Sequence, residues 1–164
     1  MSKVMIFGLL AMLLGGCAGP KVDYHAISWK ELANFAYTPS VTPRSRKITP
    51  PHLPASVSGL NGRALRLSGY MMPVDMEGEN VASFVLVRNQ ALCCFGRTPA
   101  MNEWVLVRFP PGHSVAMNMD KPIAVEGNFE VGEQIEEGAV VSLYRMVAQR
   151  VEVEEGKPTG WQAN

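Results

Sequence analysis

Leu65-Arg66-Leu67-Ser68-Gly69-Tyr70-Met71 is the stretch that decides the fold of this chain. Its apolar residues alternate with polar or amphipathic ones, which is the period-two pattern of a β-strand with one buried face. A glycine inside a strand, here Gly69, predicts a bulge where the sheet bends sharply. Asn61-Gly62 just before the strand is a turn signal. We therefore expect a curved first strand that opens an all-β body.

Four further runs read as strands. Residues 83–88 and 103–109 are apolar on both faces, as expected for strands covered by other elements. Residues 122–130 alternate, and residues 140–153 are long enough to bend and change partners. Five strands predict a small OB-like barrel, because closing a sheet removes its edges; a plain barrel or small sandwich is the alternative. The link over residues 110–121 is too rich in Pro and Gly for a helix.

A short helix and a proline-rich arm precede the strands. Ser28 stands at an N-cap position with Glu31 three residues later, which predicts a helix over Trp29–Ala36. The helix has one apolar face, made of Trp29, Leu32, Ala33 and Ala36. A helix this short is marginal alone, so this face must dock onto the body. Residues 38–55 hold five of the twelve prolines and predict an extended arm without helix or strand.

The N-terminus indicates where the chain works. The apolar run over residues 4–14 is too short to span a bilayer, which needs about 20 apolar residues, and is typical of a signal peptide. Leu14-Gly15-Gly16-Cys17 follows, and it resembles the lipobox of bacterial lipoproteins. The resemblance implies cleavage before Cys17 and a lipid anchor on this residue. Because Ala18 differs from the aspartate of an inner-membrane retention signal, we expect an outer-membrane anchor facing the periplasm.

Length and charge limit the remaining possibilities. Removal of a signal peptide over residues 1–16 leaves 148 residues, the size of one domain. The mature part carries 14 basic and 15 acidic residues, which argues against a nucleic-acid partner. We expect a tether over residues 17–26, the helix and arm over 27–56, the barrel over 57–154, and a tail over 155–164.

Several motifs occur in a recognisable order: Trp29-x-x-Leu32, Gly69-Tyr70-Met71-x-Pro73, and Cys93-Cys94-Phe95-Gly96 followed by Asn102. In this order they resemble a family of short bacterial envelope proteins, the domain of unknown function 3299. The similarity runs from about Ile27 to Val151. The resemblance implies an export signal. It also implies that the gene for this protein lies near genes for ABC-type transporters or for metal handling. It implies no activity and no set of functional residues.

Cys93 and Cys94 carry the most distinctive chemistry. Adjacent Cα atoms are about 3.8 Å apart, closer than the roughly 4.4–6.8 Å that relaxed disulfides span, so a bond between the two would be strained and easily reduced. The pair is therefore poorly suited to form a structural disulfide. Three uses remain open: ligands for Cu(I) or Zn(II), a redox pair, or small buried residues at a tight turn before Gly96.

A metal site would need further ligands beside the two thiolates. The candidates are His113, Met117 and Met119 in the loop rich in Pro and Gly, or Met71, Met72 and Met76 around Pro73. Thioethers are soft enough for Cu(I). Methionine also fills irregular cores, so packing is the competing interpretation for each of them.

Two hypotheses follow from these observations. No Ser-His-Asp, phosphate-loop or His-Glu-x-x-His pattern occurs, so we expect no enzyme. The first hypothesis is a lipid-anchored accessory module that acts with a membrane transport complex such as an ABC-type transporter. Its expected interaction surface lies around Tyr70, Pro73, Phe95 and Asn102. The alternative is a periplasmic copper- or zinc-binding protein that uses Cys93 and Cys94.

Overall fold

A computed structural model describes residues 22–42, 50–90 and 98–156 of the chain. These residues form one sheet whose strands are β1 (His25–Ala26), β2 (Ala64–Glu77), β3 (Asn80–Val87), β4 (Trp104–Arg108), β5 (Val115–Ala116), β6 (Ile123–Glu136) and β7 (Ala139–Val153). The all-β class is confirmed. The five long strands are the five that the sequence predicts, and the two additional ones, β1 and β5, are two residues each. The helices are α1 (Trp29–Ala33), α2 (Ala55–Ser58) and a 3₁₀ turn (Met101–Glu103).

Strand β2 has two different partners along its length. Residues 64–69 pair antiparallel with β6, and residues 70–77 pair antiparallel with β3. The change falls at Gly69, where an added Cβ would lie 2.5 Å from the carbonyl oxygen of Val87. Glycine is needed here because a neighbouring strand comes too close for a side chain. The predicted bulge at this residue is wrong, since the register shifts lie between residues 73 and 76.

The remaining strand pairings complete the sheet. Strands β6 and β7 form a long antiparallel hairpin, and β4 pairs antiparallel with β3 and parallel with β7. The strand order is β1-β2-β6-β7-β4-β3-β5, with β2 and β3 also paired. The link between β4 and β6 contains β5 and no helix, as its prolines and glycines predict. Strand β6 runs to Glu136, beyond the predicted end, because β7 continues to pair with it.

Helix α1 begins where the sequence predicts. The carboxylate of Glu31 accepts hydrogen bonds from the backbone N–H of Ser28 at 2.7 Å and from its hydroxyl at 2.8 Å, so this carboxylate occupies a helix N-terminus, where negative charge is favourable. The helix ends at Ala33, three residues before the predicted end. Ala36 therefore lies outside it and is exposed, which corrects its assignment to the apolar face.

Helix α1 docks onto the sheet through two buried side chains and two buried hydrogen bonds. Trp29 and Leu32 belong to the hydrophobic core. The indole Nε1 of Trp29 donates to the carbonyl oxygen of Ser68 at 2.7 Å, and the hydroxyl of Tyr144 donates to the carbonyl oxygen of Leu32 at 2.8 Å. These bonds satisfy polar groups that burial would otherwise leave unpaired. The helix is thus attached to both β2 and β7. No helix in the described parts of the chain has the length and apolar character needed to cross a membrane.

Two tyrosines with raised pKa values should make the folded protein less stable at alkaline pH. Burial raises the pKa of Tyr144, and burial together with Glu133 raises the pKa of Tyr37. Above about pH 10 the unfolded chain ionises both phenols while the folded chain keeps them protonated. The free energy of unfolding should therefore be insensitive to these groups below about pH 10 and fall as the pH rises above it. Urea unfolding of the wild type and of a variant with Tyr37→Phe and Tyr144→Phe measures this, and an equally steep fall in the variant would contradict it.

Candidate functional site

The thiols of the metal and redox hypotheses, Cys93 and Cys94, lie outside the described residues, as do Cys17 and Phe95. Gln90, which directly precedes the undescribed residues 91–97, is held by a hydrogen bond. The side-chain amide of Gln90 donates a hydrogen bond to the carbonyl oxygen of Met119. The point from which the chain continues towards the two cysteines therefore lies beside the loop between β4 and β6.

That loop carries the three other predicted ligands. Met117 and Met119 are both about half exposed, and His113 is exposed. The Nδ1 atom of His113 lies 3.3 Å from the carbonyl oxygen of Pro111, and its backbone N–H donates to Pro110. Within residues 22–42, 50–90 and 98–156, no group of three or more His, Cys, Asp or Glu side chains is arranged to hold a metal ion.

The methionines on β2 differ from one another in burial. Met71 is fully buried in the hydrophobic core, and Met72 is half-buried. Met76, near the end of the strand, is exposed. The competing interpretation of core packing therefore applies to Met71, whereas Met76 is available at the surface.

One end of the sheet collects exposed apolar side chains. The last residues of β2 pair with the first residues of β3, where Met76 lies opposite Val81. The same part of β3 pairs on its other side with β5, where Val81 lies opposite Val115. Three strand segments are therefore adjacent here, and Met117 follows directly after the third of them.

We call this region the methionine-rich end and define it by Val74, Met76, Met117 and Met119. Each of the four is between 47% and 55% exposed. Single exposed apolar residues are ordinary on a protein surface, but several of them at one end of a sheet make that end a candidate interaction site. Two residues of the predicted interaction surface precede this end on the same strand. Tyr70 and Pro73 are half-buried on β2, where they pair with Val87 and Phe84.

Asn102, the remaining described residue of the predicted interaction surface, lies in the 3₁₀ turn and is only 3% exposed. Its side-chain Nδ2 donates to the carbonyl oxygens of Phe35 at 2.9 Å and of Ala33 at 3.5 Å. These carbonyls belong to the last residue of α1 and to the chain just beyond it, where helical partners are missing. The amide thus fastens the end of α1 to the body.

The burial of Asn102 leads to a stability prediction. Asn102→Ala should lower the free energy of unfolding by about 1–2 kcal/mol, because the part-buried carbonyl of Phe35 loses its donor. The exposed Met117→Ala serves as the matched control and should change stability by less than about 0.5 kcal/mol. Urea denaturation of both variants measures the difference. Equal stability of the two variants would contradict a structural role for the amide.

Sequence analysis missed a second feature, a network of charges that we call the charged face and define by Arg66, Glu126, Arg150, Glu152 and Glu154. Arg66 on β2 binds Glu126 at 2.7 Å, Glu152 at 3.1 Å and Glu154 at 3.3 Å. Arg150 binds Glu126 at 3.0 Å. Burial lowers the pKa of Arg66, but its hydrogen bonds with the carboxylates outweigh burial and raise the pKa overall. Four of the charges lie on β2, β6 and β7, and Glu154 directly follows β7, so only the register between the strands brings them together.

An open depression with a volume of about 490 Å³ adjoins the charged face. Its lining consists of Val22, Asp23, Tyr24, Glu126, Gln149 and Arg150. The hydroxyl of Tyr24 donates a hydrogen bond to the side-chain oxygen of Gln149. The N-terminal segment is therefore fixed over strands β6 and β7 before β1 begins.

Comparisons with known proteins agree with this architecture. A family model described as "Protein of unknown function (DUF3299)" matches residues 42–153. No curated protein matches the chain. A crystal structure of a DUF3299 family protein from Pseudomonas aeruginosa PAO1 superposes with a TM-score of 0.59 and 23% sequence identity, covering 82% of this chain and 99% of that chain. At this identity the likeness shows a shared fold.

Proposed function

The chain belongs to the DUF3299 family, whose description assigns no activity, and on that premise we propose that it is a lipid-anchored envelope module that binds a membrane transport complex. The methionine-rich end is the observation that carries the proposal. It gathers four exposed apolar side chains at one end of the sheet, and such a group costs solubility unless a partner covers it. The lipobox-like sequence at Cys17 supports a partner in the envelope.

We further propose that the five long strands form a closed OB-like barrel that supports this end. The pairings β2–β6, β6–β7, β7–β4, β4–β3 and β3–β2 return to the strand from which they start. Each of the five strands then has two partners in this ring, while residues 129–136 of β6 extend beyond it and pair with β7 alone. A closed sheet of this kind is rigid, so that the side chains at its end keep their positions when a partner binds.

The chemistry of the methionine-rich end suits an apolar protein surface. Methionine is unbranched and polarisable, so its side chain adapts to irregular partner surfaces. The half-buried ring of Pro73 on the same strand adds a rigid apolar contact. The expected occupant is an apolar patch on a subunit of the transport complex that is exposed to the periplasm.

Photo-crosslinking in intact cells tests this proposal. A photoreactive amino acid at Val74 or Met117 of the full chain should crosslink to a subunit of a transport complex, identified by mass spectrometry. The same amino acid at Val147, an exposed apolar residue in the middle of β7, is the matched control and should not give this product. Equal yields at the three positions, or products without any transport subunit, would overturn the proposal.

A second candidate function, copper or zinc binding by Cys93 and Cys94, is supported by one observation. The hydrogen bond from Gln90 to the backbone carbonyl of Met119 places the residue that precedes the cysteine segment beside the loop that carries the exposed Met117 and Met119. Thiolates and thioethers together suit Cu(I), whereas the side chains that bind Zn(II) in proteins are those of Cys, His, Asp and Glu. The arrangement therefore favours copper over zinc.

Titration of Cu(I) and Zn(II) into the mature chain in detergent, under reducing conditions, tests the second function. Tight binding of one ion per chain should disappear when both cysteines are replaced by serine. Replacement of Met117 and Met119 by leucine should weaken Cu(I) binding and leave Zn(II) binding unchanged. Absence of binding, or binding that survives the serine replacements, would overturn this function.

A further inference from the structure

We propose that the charged face rests against the phospholipid headgroups of the bilayer that holds the anchor. This inference depends on the proposed lipidation of Cys17 and adds an orientation to it. Four observations carry it: the point where the chain leaves the body, the short distance from that point to Cys17, the balance of charge on the face, and the position of the methionine-rich end.

The chain leaves the body at a fixed place. Strand β1 pairs parallel with β2, with His25 opposite Leu65 and Ala26 opposite Arg66. The backbone N–H of Ile27 then donates to the carbonyl oxygen of Arg66 at 3.0 Å. The hydrogen bond of Tyr24 with Gln149 extends this attachment towards the N-terminus. Val22 therefore lies at the depression beside the charged face, and the path to the anchor starts there.

The path from the body to the anchor is short. Cys17 and Val22 are five Cα steps apart, which corresponds to at most about 18 Å when fully extended. A body of this length has a radius of gyration of about 14 Å, or a diameter of roughly 35–40 Å. The connection is thus about half as long as the body is wide. An anchor at Cys17 cannot reach around the body, so the side that carries Val22 must stay close to the bilayer.

The chemistry of the face fits a headgroup layer that carries both signs of charge. Arg150 has a side chain that is 59% exposed and can contact a phosphate, and Glu152, 44% exposed, can contact an amine. The deeper carboxylates of Glu126 and Glu154 are already paired with Arg66. Tyr24 has the amphipathic character that favours membrane interfaces. The face consequently meets the headgroups without a large excess of either charge.

This orientation also determines where the methionine-rich end lies relative to the bilayer. Arg66 and Met76 lie near opposite ends of β2, separated by ten residues, or at most about 33 Å when measured along the strand. With the charged face at the bilayer, the exposed apolar side chains lie at the other end of this strand. They remain accessible to a protein partner and do not insert into the lipid of their own membrane.

Fluorescence quenching in vesicles tests the orientation. The full-length lipoprotein is reconstituted in vesicles of phosphatidylethanolamine and phosphatidylglycerol that contain a lipid with a nitroxide on its headgroup. A fluorescent amino acid is placed at Arg150 on the charged face or, as the matched control, at Met117. We expect quenching at Arg150 to exceed quenching at Met117 several-fold. Equal quenching, or stronger quenching at Met117, would overturn the proposal.

A lengthened connection tests whether its reach sets the orientation. Insertion of about 20 Gly and Ser residues between Gly19 and Pro20 gives a flexible path and should remove most of the difference between the two positions. An unchanged difference would overturn the argument from reach. Flotation separates this inference from the function on which it rests. A chain that does not float with the vesicles overturns both, whereas a floating chain with equal quenching overturns the orientation alone.

Discussion

Replacement of Gly127 by alanine is expected to lower the free energy of unfolding by about 3 kcal/mol. Gly127 lies on β6 where β7 crosses close to it. An added Cβ would lie 2.2 Å from the carbonyl oxygen of Val147 and 3.0 Å from the Cα of Ala148. Both neighbours are backbone atoms held in the sheet by their own pairings, so the contact can be relieved only by separating the two strands.

The expected loss corresponds to a decrease of about 6–12 °C in the melting temperature of a body of this size. Thermal unfolding followed by circular dichroism measures it. Gly78→Asn is the control, because Gly78 has positive φ and open space around its Cβ position, and asparagine tolerates this conformation. A loss at Gly127 no larger than the loss at Gly78 would show that the two strands can separate at little cost.

The second large effect is expected at Leu32, whose side chain is completely buried. Leu32→Ala should lower the free energy of unfolding by about 3 kcal/mol through lost apolar contacts and a remaining cavity. Helix α1 has only five residues and cannot persist without its docked side chains. The loss should therefore include detachment of the helix and exposure of the indole of Trp29.

Two measurements distinguish detachment of α1 from a simple cavity. Urea unfolding gives the loss of stability, and the emission of Trp29 should shift to longer wavelength in the native state of the variant. Trp104 and Trp161 emit as well, so both spectra are recorded in a background that carries Trp104→Phe and Trp161→Phe. Leu32→Met nearly conserves volume and should cost less than about 1.5 kcal/mol without a spectral change. An unchanged spectrum in Leu32→Ala would show that α1 stays docked.

Much of this fold could be predicted from local patterns. Alternation marks β2 and the first half of β6, and continuous apolar runs mark β3 and β4. Ser28 and Glu31 mark the start of α1 because their hydrogen bonds are local. The second half of β6 was not predicted, since Gly132 and the acidic residues after it resemble a turn. Pairing with β7 keeps those residues extended.

The elements that were missed depend on contacts between distant parts of the chain. Strands β1 and β5 have two residues each and exist only through their pairings with β2 and β3. Helix α2 has a weak sequence signal and is positioned by the buried side chain of Val57. The charged face forms only when β2, β6 and β7 pair in the observed register. A single sequence does not reveal this register. The sequence singles out Met76, Met117 and Met119 as candidate ligands, but their exposure and their place at one end of the sheet depend on the pairing of β3 with β2 and β5.

The pairings described above also have a kinetic consequence. Ala64 pairs with Asn128, and Leu106 pairs with Arg145, so the sheet joins residues about 64 and 39 positions apart. Non-local contacts of this kind slow folding, because the entropy of closing long loops must be lost before the strands meet. If the chain is exported unfolded and lipidated at Cys17 as proposed, acylation can precede assembly of the sheet. Strand edges would then be exposed at the membrane surface, where periplasmic chaperones would have to protect them from aggregation.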